Sequence, residues 1–320
     1  MLSINQKNHI KVIENGVEYY SVKGLDEVKK EMLRLLSIIN TISIERKISY
    51  WIDGGSLIGV LRHDGFIPWD DDLDISLLKE DYHKLIDELS KYSEENDDAY
   101  LFYRAPQSHH TCNYFASKTL YTRTEGSAIS VPVKVDIRPL NSIPCTQSSL
   151  KENMELRDIA NTLIFGKSYG YTDKTPRGKG EIKKFFEYYN NSYGFTDPRL
   201  DNVTFVHPYF EFSSKFDLKY SDIFPLKKHK FENIEVSIPN NYHYIQTELY
   251  GDYMQMPSLE HRAPVACKVY RRLLPSFFYQ RYVKTIFGNP NPRMINRILN
   301  NLYMLIIIGP IEFIKAKFYE

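Results

Sequence analysis

A cluster of aspartates in the first quarter of the chain has the residue types and spacing expected of a metal site. The stretch GGSLIGVLRHDGFIPWDDDLDI, residues 54–75, ends with three adjacent aspartates at 70–72 and another at Asp74. Asp72 and Asp74 are two positions apart, so on a β-strand both carboxylates face the same side. Carboxylates held that close disfavour double ionisation unless a cation lies between them. We therefore predict that this cluster binds a divalent cation.

Magnesium suits such a cluster, because it prefers oxygen ligands and keeps water that a phosphate substrate can replace. Mn²⁺ is the alternative cofactor. A calcium loop would need a longer ligand spacing that ends in Glu, which is absent here. A solvated acidic turn is the other interpretation, but apolar residues surround the acids: Phe66, Ile67, Pro68, Trp69 and Leu73.

A glycine turn lies upstream of the acids, where SYWID is followed by Gly54, Gly55 and Ser56. Glycine lets a phosphate approach the backbone closely. The free N–H groups at the start of a helix, with its positive dipole end, can then hold the phosphate. A phosphate-binding turn and a metal-binding cluster at this distance indicate a phosphoryl-transfer site.

A third carboxylate would complete the metal site or accept a proton from an attacking hydroxyl. Asp136 in VKVDIRPL is the candidate, because an unpaired acid on an apolar strand is costly. The alternative for Asp136 alone is an acid at a strand end that reaches solvent.

The elements that position these residues alternate along the chain. Apolar residues recur at three- and four-residue steps in 24–45 and 79–95, which predicts two helices. Strands are predicted in the segments SYWID, LDISL, YLFYR, CNYFASK and VPVKVDIRPL. Residues 222–251 suggest a hairpin followed by a helix. This order is typical of an α/β sheet with helices packed on it.

Composition narrows the class of protein. The 320 residues carry a formal net charge of +1, so no general affinity for polyanions such as nucleic acid is implied. Three widely spaced cysteines, Cys112, Cys145 and Cys267, argue against a disulfide framework and for a reducing compartment. The polar N-terminal segment lacks an apolar signal core, so a cytoplasmic location is expected.

The stretch YWIDGGSLIGVLRHDGFIPWDDDLDI, with LLKEDYHKL after it, resembles the signature of the LicD/fukutin family of phosphotransferases. The segment FPLKKHKFENIEVSIPNNYHYIQTELYGDYM is similar to the family's second shared block. The resemblance covers roughly residues 24–140 and 222–258. It implies a nucleotidyltransferase-like α/β (α+β) fold, with a small mixed sheet flanked by helices. A helical insertion at about 145–220 and a C-terminal helical appendage complete the expected architecture.

The resemblance also implies roles for particular residues. Four aspartates fall on the family's acidic positions as metal ligands: Asp70, Asp72, Asp74 and Asp136. Three residues fall on its phosphate-binding turn: Gly54, Gly55 and Ser56. A segment usually read as DIFPLD is DIRPLN here, so Arg138 and Asn141 depart from the family pattern and affect local substrate contacts.

Four basic residues are candidates for contacting phosphate. Arg62 lies in the first motif, and its planar fork can donate two parallel hydrogen bonds. His63 is either a phosphate donor or acceptor-side base, or a residue that ties the loop to the acids. Lys118 and Arg123 lie in a K…TRT context similar to the family's basic strand pair, where they would neutralise the transferred phosphate.

The implied reaction transfers a phosphorylated alcohol from a CDP-activated donor to a hydroxyl of a cell-surface glycan or its lipid-linked precursor, and releases CMP. Teichoic acid, lipopolysaccharide and capsule are the polymers considered. Phosphocholine from CDP-choline is the family's best-known case, and its cationic head would need aromatic faces. Four aromatic residues near the motifs are candidates for that role or for the core: Trp51, Trp69, Tyr103 and Tyr114. The sequence does not select choline over ribitol, glycerol or ethanolamine.

Two other classes of function remain open. A sugar-nucleotide glycosyltransferase could use a DxD motif to bind its donor, although the glycine turn favours phosphoryl transfer. A non-catalytic glycan-binding protein on the same fold is the second alternative, although the intact acids favour an enzyme.

We divide the chain into a catalytic domain, residues 1–262, and a C-terminal segment, residues 263–320. That segment has nine lysines and arginines against two glutamates, a net +7. Its apolar run LYMLIIIGPIEFI is shorter than the roughly twenty residues that a bilayer span needs. Attachment to the surface of an anionic membrane at its cytoplasmic face and packing of a helix on the domain both fit this pattern.

Overall fold

The computed structural model describes residues 8–103, 113–124, 130–165, 197–200, 203–206 and 218–271, together with 181 and 184. The α-helices whose bounds lie within these residues are α1 Leu25–Arg46, α2 Gly54–His63, α3 Lys79–Glu95, α4 Gln147–Phe165, α5 Tyr220–Ile223 and α6 Tyr242–Tyr250, and Leu259–His261 forms a 3-10 helix. The strands in the same part of the chain are β1 His9–Glu14, β2 Val17–Val22, β3 Trp51–Ile52, β4 Asp74–Leu78, β5 Ala99–Tyr103, β6 Asn113–Thr124, β7 Ser130–Pro144, β8 Val203–Val206, β9 Lys227–Phe231, β10 Ile234–Ile238 and β11 Ala266–Arg271.

A seven-stranded mixed sheet forms the centre of the molecule. Its main path is β11-β6-β7-β4-β3, while β5 pairs with β6 and β8 pairs with β7. The β4–β7 pair is parallel and the other pairs in this sheet are antiparallel. Two separate antiparallel hairpins, β1–β2 and β9–β10, complete the described strands.

Helices α1 and α3 cover one face of the sheet. The buried side chains of α1 recur at three- and four-residue steps, including Val28, Met32, Leu35 and Ile39, all fully enclosed. They pack in one core cluster with alternate residues of the two central strands, Ile75 and Leu77 of β4 and Val135 and Ile137 of β7. Each such side chain contributes about 1.5–3 kcal/mol by leaving water. Because this face of β4 and β7 is buried in the core, only their opposite face can carry the polar side chains of a functional site.

The predicted fold class is confirmed: a mixed sheet is flanked by helices. The predicted helical insertion contains helix α4 and also strand β8. The segment predicted as a C-terminal appendage begins with β11, which pairs with β6 in the central sheet. Residues 272–320, including the apolar run, lie outside the described residues. No helix in the described ranges has the length and apolar character needed to cross a bilayer.

Candidate functional site

The face of the central sheet opposite the α1–α3 core carries charged and polar side chains. Because side chains alternate along a strand, Asp74 and Ser76 of β4 share this face with Asp136 and Arg138 of β7. The parallel register pairs Asp74 directly with Asp136 and Ser76 with Arg138. Neighbouring strands lie about 4.8 Å apart, so the two carboxylates emerge side by side.

Helix α2 begins at the same place because of a short polar network. The Asp53 carboxylate caps the helix, with Oδ1 accepting from the Gly54 N–H at 2.8 Å. Its Oδ2 accepts from the Ser76 hydroxyl at 2.5 Å. The Ser56 hydroxyl accepts from the Asp74 N–H at 2.9 Å. Asp53 and Ser56 thus tie the glycine turn to strand β4, which fixes the helix start beside the carboxylates.

Gly54 lies where three other elements meet. Its φ of +58° belongs to the left-handed region that glycine adopts readily. A Cβ at this position would lie 3.2 Å from Asp74 Oδ2, 3.5 Å from Arg138 Nη1 and 3.7 Å from Tyr250 Oη. The turn therefore lies beside the charged groups of the site, and phosphate binding by the turn stays a prediction.

Two basic side chains of β7 neutralise the paired carboxylates. Arg138 Nη2 lies 2.5 Å from Asp74 Oδ1, and Lys134 Nζ contacts Asp136 Oδ1. The Lys134 ammonium also lies 4.2 Å from the ring centre of Tyr114, the residue of β6 that pairs with Asp136. Acidic and basic groups therefore alternate along one face of β7, which predicts a site that binds both a cation and an anion.

The three adjacent aspartates have different surroundings. Asp71 accepts from the backbone N–H groups of Val265 and Ala266 at 2.9 and 2.8 Å, so it anchors the chain that leads into β11. Burial raises the pKa of Asp70 well above its ordinary value, with further contributions from the carboxylates of Asp72 and Asp71. Asp72 is exposed to solvent. We infer that Asp72 is available to a ligand, whereas Asp71 is structural.

The carboxyl group of Asp74 interacts electrostatically with its charged neighbours. Burial raises the pKa of Asp74 well above its ordinary value. The Arg138 charge acts in the opposite direction, while the negative charges of Asp72 and Asp136 raise the pKa further. The positive charge near Asp74 is therefore too small for its carboxyl group to ionise easily. A bound divalent cation would supply the missing positive charge.

Within the described residues, no three His, Cys, Asp or Glu side chains are already arranged as a set of metal ligands. The carboxylates of Asp74 and Asp136 contact Arg138 and Lys134. Their chemistry nevertheless fits a hard cation, because oxygen donors from neighbouring strands are the ligands that Mg²⁺ and Mn²⁺ prefer. The strand register brings Asp74 and Asp136 together. Asp72 acts electrostatically on both Asp70 and Asp74, and metal binding by the four aspartates stays a prediction.

The second motif packs against the loop that joins α2 to the acids. Glu232, at the turn between β9 and β10, accepts from the Phe66 N–H at 3.0 Å and donates its own N–H to the Asp64 carbonyl at 2.8 Å. A Cβ on Gly65 would overlap Glu232 Oε1 at 2.2 Å. A Cβ on Gly59 would lie 2.5 Å from the Gly65 carbonyl oxygen. Gly59 and Gly65 therefore allow the chain to pack closely, and this packing sets the path of the loop that leads to the acids.

Arg62 and His63 have partners within the protein. Arg62 Nη1 donates to the carbonyls of Tyr253 and Gln255 at 3.0 and 3.2 Å, and its Nε donates to His63 Nε2 at 3.0 Å. Burial, followed by the Arg62 and Lys29 charges, lowers the pKa of His63 to about 4. His63 is therefore neutral near pH 7. These contacts support the interpretation of His63 as a residue that ties the loop together, and phosphate binding by Arg62 stays a prediction.

Lys118 and Arg123, predicted to neutralise phosphate, lie farther along β6. Lys118 is buried, and its ammonium donates to the Asn96 carbonyl at 2.8 Å and to Asp97 Oδ1 at 3.2 Å. Arg123 is opposite Ser130 of β7 and Lys268 of β11. Lys118 thus connects β6 to the segment after α3, and contact of either residue with the phosphate stays a prediction.

The candidate aromatic residues are largely enclosed. Trp69 is 7% exposed, and the guanidinium carbons of Arg62 and Arg262 lie 6.0 and 5.9 Å from its ring centre. Trp51 is 2% exposed and packs edge-on against Phe224. The Lys134 ammonium lies over the ring of Tyr114. The Tyr103 side chain lies outside the described residues.

Helix α6 supplies two site residues that the sequence reasoning missed. Tyr250 is 44% exposed as a whole, but its Oη is near Gly54. Desolvation of this inner end, followed by the negative charges of Asp53 and Asp74, raises its pKa. Gln246 is fully enclosed, and its Nε2 donates to the Gly54 carbonyl at 3.4 Å. They are four residues apart, so they share one helix face. That spacing within the second motif was the signal that could have identified them.

Comparisons with known proteins match the part of the chain that contains this candidate site. Residues 47–150 match the family model described as LicD/FKTN/FKRP, nucleotidyltransferase domain. The chain is 24% identical to lipopolysaccharide cholinephosphotransferase LicD of Haemophilus influenzae over 275 residues, which is 75% of this chain and 95% of that protein. It is 33% identical to an uncharacterized protein of Rickettsia prowazekii over 73 residues, 23% of this chain and 27% of that protein.

A third match is shorter and more similar. The chain is 50% identical to ribitol 5-phosphate transferase FKRP of Homo sapiens and of Mus musculus over 34 residues, 11% of this chain and 7% of those proteins. The matched family segment contains α2, β4 and β7, and with them the paired carboxylates. Residues 47–150, which carry the paired carboxylates, therefore resemble the nucleotidyltransferase domain of the LicD/FKTN/FKRP family.

Proposed function

We propose that this protein is a metal-dependent phosphotransferase that moves a phosphorylated alcohol from a CDP-activated donor to a hydroxyl of a cell-surface glycan or its lipid-linked precursor. The observation that carries the proposal is the direct pairing of Asp74 with Asp136 beside the Gly54 turn, within a segment of the LicD/FKTN/FKRP family. Relatives named as phosphotransferases support the reaction class.

In the proposed reaction the acceptor oxygen forms a bond to the phosphorus that carries the alcohol, and the bond from that phosphorus to CMP breaks. The residues around Gly54 orient the diphosphate, because the helix start offers N–H donors beside Arg138. Asp136 aligns the acceptor hydroxyl or takes its proton, with Lys134 holding the carboxylate in place.

Mg²⁺ is the proposed cofactor, and Mn²⁺ the alternative, held by Asp72, Asp74 and Asp136 with support from Asp70. When bound, the cation would neutralise the charge of the diphosphate and of the CMP leaving group. The chain contributes the ligand oxygens and the second positive charge, Arg138, on the same sheet face.

The alcohol is the finer part of the proposal. Phosphocholine is the first candidate, because the relative covering most of the chain is named a cholinephosphotransferase. Ribitol phosphate is the second candidate, because 34 residues of the chain are 50% identical to a ribitol 5-phosphate transferase. Trp69 and Tyr114 already face cationic side chains of the protein, which weakens the case for a choline-binding aromatic group formed by them.

The test is a donor panel. Purified full-length protein is incubated with Mg²⁺, a glycan extract of the cell envelope, and CDP-choline, CDP-ethanolamine, CDP-ribitol or CDP-glycerol in turn. Release of CMP, with phosphorus gained by the glycan in phosphorus NMR and mass spectrometry, is the expected result for one donor. Release of CDP or UDP with transfer of sugar alone would instead indicate a glycosyltransferase.

A non-catalytic role predicts a different outcome. If Asp72→Asn and Asp136→Asn leave glycan modification unchanged in cells that lack the native chain, the proposed catalysis is contradicted. Glycan binding by both variants would then support a binding protein.

Peripheral attachment to the cytoplasmic face of the membrane is part of the proposal, because the segment after the central sheet is basic and apolar. Since β11 pairs with β6, the truncated control should end after Arg271 and not at residue 262. Flotation with anionic vesicles should recover the full chain and lose the truncated one. Equal recovery of both in the soluble fraction would contradict the attachment.

A further inference from the structure

We propose that Arg138 is a phosphate-binding residue that exchanges its partner during substrate binding, releasing Asp74 to the metal and taking the donor diphosphate in return. This inference rests on the proposed function, because it requires a divalent cation and a diphosphate donor. It concerns a position where the chain has DIRPLN in place of the DIFPLD pattern, so an arginine occupies the place of an apolar residue.

The position of Arg138 is the first observation. Its side chain is 17% exposed and lies on the sheet face that carries Asp74 and Asp136, two residues beyond Asp136 on β7. Its Nη2 lies 2.5 Å from Asp74 Oδ1, and its Nη1 is 3.5 Å from the place where a Cβ on Gly54 would be. The guanidinium therefore contacts the proposed metal ligand and lies beside the proposed phosphate-binding turn.

The surroundings of the guanidinium are the second observation. Asp53, the other carboxylate of this turn, already accepts from the Gly54 N–H and from the Ser76 hydroxyl. Asp74 and the hydroxyl group of Tyr250 both lie near the place where a Cβ on Gly54 would be. A diphosphate on the helix start would therefore meet Arg138 directly, and a planar fork can bind two phosphate oxygens at once.

Asp74 Oδ1 cannot make both contacts at full strength, because an arginine and a metal ion would compete for the same oxygen. A metal binding alone must displace Arg138, and a diphosphate binding alone must compete with Asp74 for the guanidinium. When both bind, each replaces the partner that the other removed. Metal and diphosphate should therefore bind cooperatively, by reciprocal coupling.

The experiment measures binding of Mn²⁺ alone, of CDP alone, and of CDP with saturating Mn²⁺, by calorimetry on the full chain. Arg138→Met keeps the length of the stem but removes the charge, and Arg138→Lys keeps the charge without the fork. Arg46→Met is the matched control, because it removes an exposed arginine that pairs with Glu88 between α1 and α3. Thermal unfolding confirms that each variant is folded.

For Arg138→Met we expect Mn²⁺ to bind several-fold more tightly without nucleotide, and CDP with Mn²⁺ to bind about tenfold more weakly. The affinities of Arg138→Lys for both ligands should lie between those of the unmodified protein and those of Arg138→Met. The affinities of Arg46→Met should match those of the unmodified protein. A purely structural arginine would weaken both ligands together, so Mn²⁺ affinity that is unchanged or reduced in Arg138→Met overturns the inference. If the unmodified protein binds CDP equally with and without Mn²⁺, the proposed metal-dependent function fails as well.

Discussion

Asp74 and Asp136 are directly opposed in the parallel pair of β4 and β7, and each carboxylate contacts a basic side chain of β7, Arg138 or Lys134. The pairing places two negative charges in adjacent strands on a partly enclosed sheet face. Two cations from the protein reduce the repulsion. Because the pKa of Asp74 nevertheless stays raised, the site should favour an additional cation.

The contribution of Asp70 and Asp74 to the stability of the metal-free protein should fall as pH rises. The pKa values of Asp70 and Asp74 are raised in the folded chain, so the folded state keeps protons that the unfolded state releases. Stability is highest below the ordinary carboxyl pKa of about 3.8 and is lost as pH rises through the higher folded values. Because the metal replaces these protons, added Mn²⁺ should raise the melting temperature more as the pH rises. Thermal unfolding in EDTA and in Mn²⁺ measures this difference.

The variant Asp72→Asn serves as the control for this effect. It removes an exposed charge that raises the pKa of both Asp70 and Asp74, so the metal-free protein should gain about 0.5–1 kcal/mol. Its Mn²⁺-induced stabilisation should shrink, and activity should fall by about 100-fold or more. A metal response equal to that of the unmodified chain would count against Asp72 as a ligand.

The two glycines of the turn should respond differently to alanine. At Gly55 the nearest heavy atom to an added Cβ is Asp70 Oδ2 at 4.0 Å, so Gly55→Ala should leave stability unchanged or improve it. Activity should nevertheless fall by about tenfold or more, since the methyl group would occupy space that a bound phosphate needs. Urea unfolding and CMP release check the two effects, and full activity in Gly55→Ala would contradict a phosphate at this turn.

Gly54→Ala is the comparison for that variant. Its left-handed φ of +58° and the 3.2 Å approach to Asp74 Oδ2 should destabilise the fold by about 1–2 kcal/mol, in addition to lowering activity. Gly54→Ala should lose both activity and stability, whereas Gly55→Ala should lose activity alone. This difference separates the effect of backbone strain from the effect of blocking a phosphate.

His63→Gln should change the pH dependence of stability in acid. The folded pKa of His63 is about 4 and the ordinary value is 6.5, so the unfolded chain binds the extra proton between these values. Stability is therefore lost as pH falls from about 6.5 to about 4. Glutamine keeps an acceptor for Arg62 and does not titrate, so the loss should be smaller in urea unfolding at pH 5.

Activity of the same variant at pH 7 tests the catalytic role that the sequence left open for His63. A change of no more than a few-fold is expected for a residue that holds Arg62 in place. A fall of about 100-fold with unchanged stability would instead assign His63 to proton transfer.

Local patterns predicted the elements well. The three- and four-residue apolar spacing identified α1, and the alternation in VPVKVDIRPL identified β7 with its carboxylate. Pairing was not predictable in the same way, because the parallel contact of β4 with β7 joins segments about sixty residues apart. The cluster of acids was therefore visible from the sequence, but the position of Asp136 opposite Asp74 required the folded chain.

Side-chain direction limited the prediction of the site. Arg62 was selected for its residue type, yet its guanidinium donates to backbone carbonyls of a loop that the sequence did not connect to it. Arg138 was noted as a departure from a pattern, but its ion pair with Asp74 depends on register across two strands. Residue type thus indicates what a group can bind, whereas packing decides which partner it meets.

Contact between the two motifs gives the last prediction, which concerns Gly65 and Glu232. Gly65→Ala alone should cost about 1–3 kcal/mol, because the new Cβ would overlap the Glu232 carboxylate that accepts from the Phe66 N–H. Glu232→Ala alone should cost about 1–2 kcal/mol through the lost hydrogen bond. In the double variant the space is free, so Gly65→Ala should add little.

Urea unfolding of the four proteins in this cycle measures the coupling. Glu232→Gln is the matched control, because it keeps the acceptor for Phe66 and should keep most of the stability. Activity should follow the same order, since the loop that Glu232 holds leads to Asp70 and Asp72. Additive losses in the double variant would mean that Gly65 and Glu232 act independently, and the acidic loop would then not be positioned by the hairpin of the second motif.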